Sequence, residues 1–282
     1  MSAPQIVTTV AELRHRIRSF RHDGLRVGLV PTMGALHAGH LSLVEEAEKH
    51  ADAVIVSIFV NPTQFAPHED FDRYPRALMA DAEKLGTAGE TDLIFAPSVG
   101  EMYPPGFATR IEPGGPAAGL ESDTRPHFFA GVATVVAKLL LAAMPDVAVF
   151  GEKDYQQLLV IRRLCADLGL AANIVGAPIV RERDGLAMSS RNAYLSPEDR
   201  KVAAQLNGVL QGLIAYLHDG APIPEAEDKG RRALLAAGFA SVDYVAVRAA
   251  EDLSAIAALD RPARVLAAAA VGSTRLIDNM AV

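Results

Sequence analysis

The stretch Leu25–Gly34, LRVGLVPTMG, continues through ALHAGH to the run His40–His50, HLSLVEEAEKH. A short apolar run, a turn carrying Pro31 and Gly34, and then a helical pattern make one strand–turn–helix unit. The same change of period recurs outward from it. ADAVIVSIFV at Ala51–Val60 reads as a strand that ends in NPTQF, and PRALMADAEKLGTAG at Pro75–Gly89 reads as a helix. DLIFAP at Asp92–Pro97 is a further strand, GVATVVAKLLLAAM at Gly131–Met144 a helix, and DVAVFG at Asp146–Gly151 a strand leading into the helix DYQQLLVIRRLCADLG. Alternating βα units imply an α/β domain with a mostly parallel sheet, whose ligands gather beyond the carboxyl ends of the strands. Met33, Asn61 and Gly151 all follow apolar strands, which points to one pocket.

The chain has 282 residues, enough for two compact domains. We place a boundary near Gly176, giving domains 1–176 and 177–282, with Ala172–Leu195 as the connection. In the second, Leu195–Gly220 reads as one helix with Ser196 as N-cap and Pro197 in the first turn. A further helix is expected over Glu225–Gly238, with strands over Ser241–Arg248 and Arg264–Met280, making a smaller α+β domain. Gly106–Phe128 reads as a surface or active-site loop.

Hydrophobic residues make up 50% and charged residues 22%, with a formal net charge of −7. That balance fits a globular protein and gives no global reason to expect a nucleic-acid partner. No apolar run is continuous enough for a signal peptide or a membrane span, so cytoplasmic residence is the default expectation. Cys165 is the only cysteine, so there is no intrachain disulfide and no four-cysteine metal cluster. Its place in VIRRLCADLGL suits a structural helix residue.

Three polar constellations carry the chemistry, with a fourth turn beside them. In PTMGALHAGH, Pro31–His40, Gly34 accepts unusual backbone angles, and the turn can place N–H groups around a phosphate at a helix start. The spacing is neither GxGxxG nor GxxxxGK[ST]. His37 and His40 can donate to phosphate, although a capped helix with two ordinary polar histidines explains the same residues. In FVNPTQF, Asn61 and Gln64 offer neutral amide groups that suit a small hydroxy acid or stabilise a turn. In GEKDYQQL, Gly151 permits close approach, Lys153 can neutralise phosphate, Asp154 can bind a sugar hydroxyl and Gln157 a second substrate; a charged helix start is the plainer reading. In MSSRN, Ser189 and Ser190 are hydroxyl donors and Arg191 a charged fork, on a lid or on an interdomain turn. His37 and His40 lack a third ligand, and the cluster His68, Glu69, Asp70 and Asp72 reads as a solvated loop, so no metal site is expected.

Together PTMGALHAGH, FVNPTQF, FGEKDYQQL at Phe150–Leu158 and GLAMSSRNAYL at Gly185–Leu195 resemble the pantothenate synthetase (pantoate–beta-alanine ligase) family in order, spacing and length. The resemblance implies a Rossmann-like parallel-sheet nucleotidyltransferase domain, a smaller C-terminal α+β domain contributing a lid, and a homodimer. It implies that ATP activates pantoate as pantoyl adenylate, which β-alanine converts to pantothenate and AMP, with Mg²⁺ held mainly by phosphates and water. By resemblance, Met33, Gly34, Ala35, Leu36, His37, Ala38, Gly39 and His40 line the ATP site, with His40 as proton donor. Gly151, Glu152, Lys153 and Asp154 form a second ATP-contacting loop; Val180, Met188, Ser189, Ser190 and Arg191 add further contacts; Gln64 and Gln157 hold pantoate. His37, His40, Lys153 and Arg191 are the expected catalytic set. One departure stands out: where the family pattern reads RPGHFxG, this chain has RPHFFAG at Arg125–Gly131, so His127 replaces glycine and Phe128 replaces histidine. Arg125 remains a candidate anion contact. Two other readings stay open: a nucleotidyltransferase that stops at a nucleotide conjugate, and a noncatalytic nucleotide-binding regulator.

Overall fold

In a computed structural model, residues 4–66, 69, 71–88 and 91–282 are described. The chain divides into two compact units, one of residues 1–152 and 160–178, the other of residues 153–159 and 179–282.

The first unit is built on a six-stranded, all-parallel sheet with strand order β1-β4-β3-β2-β5-β6. The strands are β1 (Gln5–Val7), β2 (Val27–Thr32), β3 (Ala53–Ile58), β4 (Leu93–Phe95), β5 (Val147–Gly151) and β6 (Asn173–Ala177). Its helices are α1 (Val10–His22), α2 (Ala38–Glu48), α3 (Leu78–Ala88), the single turns α4 (Val99–Met102) and α5 (Glu121–Thr124), and α6 (Phe128–Ala143). Helix α7 (Tyr155–Leu168) follows β5. Alternate strand residues Val30, Val54, Val56, Ile94, Val147 and Val149 pack with α2 and α3. The intervening Leu29, Ile55, Leu93, Phe95, Ala148 and Phe150 are equally buried. Burial on both faces is why these strands read as continuous apolar runs rather than alternating ones.

The second unit pairs the antiparallel sheet β7 (Ser241–Ala249), β8 (Ala263–Val271) and β9 (Thr274–Ala281) with helices α8 (Pro197–Ala203), α9 (Gln205–His218) and α10 (Ile223–Ala236). Leu206, Leu210, Leu213, Leu234, Val247 and Val265 lie in its core. The parallel α/β domain and the smaller α+β domain are therefore both present.

Three details differ from the sequence reading. Ala172–Leu195 is not only a connection, because NIVGA forms the edge strand β6 beside β5. The helix expected from Ser196 is interrupted at Ala204, giving α8 and α9. The division near Gly176 is not a single cut, because Lys153–Leu159 groups with the second unit. There the Asn279 side-chain amide donates to the Lys153 carbonyl at 2.9 Å, and the Tyr155 hydroxyl donates to the Ala250 carbonyl at 2.8 Å. No helix among the described residues is long and apolar enough to cross a membrane.

Candidate active site

In the first unit, Met33, Asn61 and Gly151 stand at or just beyond the carboxyl ends of the parallel strands β2, β3 and β5. After β2 the backbone turns through Gly34 at φ +85° and Ala35 at φ +52°. A Cβ on Gly34 would lie 3.1 Å from both Asp81 Oδ2 and Ile58 Cγ2 in a left-handed conformation, so both strain and space favour glycine. The turn is fixed from α3. The Asp81 carboxylate, only 1% exposed, accepts the Ala35 N–H and the Leu36 N–H, each at 2.8 Å. Lys84 Nζ donates to the Leu36 carbonyl at 2.6 Å.

His37 is the N-cap of α2, and its backbone N–H donates to His40 Nδ1 at 3.3 Å. The two rings lie 4.1 Å apart. With Nδ1 accepting, the hydrogen of a neutral His40 ring resides on Nε2, which makes Nε2 the donor. The first turn of α2 carries no acidic side chain, so the positive end of the helix is not offset from within.

Beside this turn, Pro62–Gln64 forms a 3-10 turn capped by Asn61. Gln64 and Asn61 are buried. Asn61 Nδ2 donates to Gln64 Oε1 at 3.1 Å and to the Gly131 carbonyl at 3.2 Å, while Gln64 Nε2 donates to Met33 Sδ at 2.9 Å. The Tyr103 hydroxyl donates to Asn61 Oδ1 at 2.8 Å, and burial raises its pKa. Helix α6 closes tightly on the turn. A Cβ at Gly131 would stand 2.4 Å from the Thr63 carbonyl oxygen, so only glycine fits there.

Arg125 proves to be a tether of this turn. Its guanidinium grips Glu69 at 2.6 and 2.7 Å, donates to the Gln64 carbonyl at 3.2 Å and lies 3.9 Å over the Phe128 ring. The aromatic side chain at the departed RPHFFAG position is thus a platform for Arg125. Burial alone would raise the Glu69 carboxyl, but hydrogen bonds and charge from Arg125, with the Ala66 N–H and the charge of His127, hold it below the usual range. Glu69 is therefore an ion-pair partner and not part of a solvated cluster; His68 and Asp70 lie outside the described residues.

In the second unit, Lys153 and Asp154 occupy a 3-10 turn, with Lys153 Nζ 3.8 Å from Asp154 Oδ2, and Gln157 follows in α7. Val180 and Met188 are brought together: the Met188 N–H donates to the Val180 carbonyl at 3.0 Å across a small hairpin bridged at Arg181 and Ala187. Ser189 caps the 3-10 turn Ser190–Tyr194, its hydroxyl accepting the Arg191 N–H at 3.3 Å. Asn192 Nδ2 fastens this turn to the hairpin through Glu182 Oε1 at 2.8 Å and the Ala187 carbonyl at 3.1 Å. Glu182 and Asp184 both bind Arg200, whose hydrogen bonds lower both carboxyl pKa values.

The candidate residues thus fall into two groups. Met33 to His40, Gln64, Gly151 and Glu152 belong to the first unit; Lys153, Asp154, Gln157, Val180 and Met188 to Arg191 belong to the second. Asp81, Tyr103 and the Asp278–Asn279 pair escaped the sequence reading. Nothing in MADAEK separates Asp81 from an ordinary exposed helix residue. Cys165 is buried in α7, and burial raises its thiol pKa, as suits a structural residue.

A family model described as pantoate-beta-alanine ligase matches residues 5–281. The chain belongs to the pantoate–beta-alanine ligase family. It is 58% identical over 280 residues to the pantothenate synthetase of Mesorhizobium japonicum, covering 99% of this chain and 98% of that one. The crystal structure of pantothenate synthetase from Thermus thermophilus superposes with a TM-score of 0.90 at 49% identity over 98% of both chains. The pantoate–beta-alanine ligase of Francisella tularensis, complexed with beta-gamma ATP and beta-alanine, gives a TM-score of 0.83 at 34% identity, covering 99% of this chain and 97% of that one. As a ligase of this family, the chain is an enzyme that joins pantoate to β-alanine at the expense of ATP through an adenylate.

Proposed function

We propose that the Asp81-held turn supplies the phosphate-handling half of this reaction and the Asn61–Gln64 turn its pantoate-handling half. A pantoate carboxylate oxygen attacks the α-phosphorus of ATP, the bond to the β-phosphate oxygen breaks, and pyrophosphate leaves with the electron pair. The amine of β-alanine then attacks the acyl carbon, loses a proton, and displaces AMP. No enzyme nucleophile is needed.

His37, His40, Lys153 and Arg191 offset charge as it develops on the phosphates. The backbone of Met33 to His40, the turn Gly151 to Asp154, and Val180 with Met188 to Arg191 hold the nucleotide. Gln64 and Gln157 hold pantoate in line and so lower the entropic part of the barrier. A carboxylate nucleophile is already deprotonated, so His40 serves as a donor through Nε2 and not as a general base. The observation that carries this reading is the His37 N–H to His40 Nδ1 bond at 3.3 Å, which commits Nε2 to donation. A Cβ at Gly151 would meet Leu43 Cδ2 at 3.8 Å, an ordinary contact, so glycine there suits a ligand's approach rather than tight packing.

Among the described residues no group of three or more His, Cys, Asp or Glu could hold a metal. Mg²⁺ enters this reading as part of the substrate MgATP, bound by phosphates and water. A homodimer and cytoplasmic residence complete the proposal; sedimentation of the purified protein tests the first and cell fractionation the second.

Rapid-quench measurement of pantoate-dependent pyrophosphate release tests the residue roles. His40→Ala and Lys153→Ala should each slow this step about 100- to 1000-fold, and Gln64→Ala should raise KM for pantoate more than for ATP. Wild-type rates in both His40→Ala and Lys153→Ala would sink the assignment. Product analysis with each substrate omitted distinguishes pantothenate plus AMP from a stable nucleotide conjugate, and from ATP binding without turnover.

A further inference from the structure

Lys153 sits in a three-residue 3-10 turn, Glu152–Asp154, too short to hold itself by its own ladder. Its carbonyl is gripped from strand β9 by Asn279 Nδ2 at 2.9 Å. Asn279 is 2% exposed, and its amide has one workable orientation. Arg264, which can only donate, hydrogen-bonds Asn279 Oδ1, so Nδ2 is left for the Lys153 carbonyl, which can only accept. The Arg264 guanidinium also lies 3.8 Å over the ring of Tyr155, two residues beyond Lys153. The preceding residue, Asp278, is equally buried. It accepts from Arg181 at 2.7 and 3.0 Å and from the Asn279 N–H at 2.8 Å, and Arg181 also donates to the Gly185 carbonyl at 3.1 Å. Two consecutive residues of β9 therefore hold the Lys153 turn and the hairpin that joins Val180 to Met188.

We propose that Asn279 is a positioning residue of the adenylation step: locked between Arg264 and Asp278, it sets the backbone of Lys153. This rests on the reading that Lys153 acts on the transferring phosphate. Hydrogen bonds on both its oxygen and its nitrogen fix the buried Asn279 amide, and a misplacement of about 1 Å at a reacting centre is enough to slow a step about 100-fold.

The test is Asn279→Asp, which keeps the size and the acceptor for Arg264 but sets an oxygen against the Lys153 carbonyl. Pantoate-dependent pyrophosphate release is measured by rapid quench in Asn279→Asp, Lys153→Ala and the double variant. Asn279→Asp should be roughly 10- to 100-fold slower, with KM for pantoate within about twofold of wild type. The double variant should be no slower than Lys153→Ala, because Asn279 acts through Lys153. A wild-type rate in Asn279→Asp, or full multiplication of the two losses, overturns the proposal. A wild-type rate in Lys153→Ala instead removes the reading on which it rests, and that arm is scored separately. If Asn279→Asp does not fold, Asn279→Ser carries the same cycle.

Discussion

The turn after β2 and the hairpin after β6 are held in opposite ways. The first is held chiefly by one carboxylate, with Asp81 taking two backbone N–H groups into a site that is 1% exposed. The second is held by a distributed network in which Glu182 and Asp184 share Arg200 and Asp278 takes Arg181. A turn presented as a fixed cradle can depend on a single point, whereas an arm made of short pieces needs several. The contrast is therefore one of failure mode: sudden in the first region, graded in the second.

The largest break should come from Asp81→Asn, which turns an acceptor into a donor facing a buried N–H. We expect a loss of about 1–3 kcal/mol in stability, and adenylation slowed about 100-fold, read by urea denaturation and rapid quench. Retained activity with lowered stability would show that the turn does not need its clamp. Next is Gly131→Ala. Its Cβ collides with the Thr63 carbonyl at 2.4 Å, so overpacking should cost about 1–3 kcal/mol. Steady-state kinetics should show KM rising for pantoate but not for ATP.

Glu69 gives a pH-dependent test. Its folded pKa is depressed, so its stabilising contribution is present above its unfolded value, about 4.3, and is lost as pH falls through the folded value. Glu69→Gln should lower stability at neutral pH and flatten the acid limb of a denaturation series; an unchanged limb would remove the Arg125 tether from the account. The smallest effect belongs to Asp184→Asn. Arg200 keeps Glu182, and the Asp184 side chain is 38% exposed, so the expected cost is below about 1 kcal/mol. A loss as large as that of Asp81→Asn would erase the contrast.

What could be read from sequence follows the same division. The strands β2, β3 and β5 and the helices after β2 and β5 were legible because burial on both faces makes long apolar runs. Strand β6 was not, since NIVGA is partly exposed at a sheet edge and carries Asn173 and Gly176. The break at Ala204 lies in an unbroken helix-forming run. The proposed site residues His40, Gln64, Lys153 and Arg191 stand in long motifs, and Asn61, His37 and Ser189 support three of them from within those motifs, but Asp81, Arg125 and Asn279 lie outside them. Arg125 reads as a free cation until Glu69, 56 residues earlier, is folded against it. Asn279 looks like any strand residue until the Lys153 carbonyl arrives beside it.

That last separation has a consequence for synthesis. Chains emerge from the ribosome N-terminus first, at about 5–20 residues per second. Asp81 is made 46 residues after Ala35, so the clamp on the first turn can close early. Lys153 waits 126 residues for Asn279. The Lys153 turn therefore gains its Asn279 partner only with translation of β9, roughly 6–25 s after Lys153 itself is made.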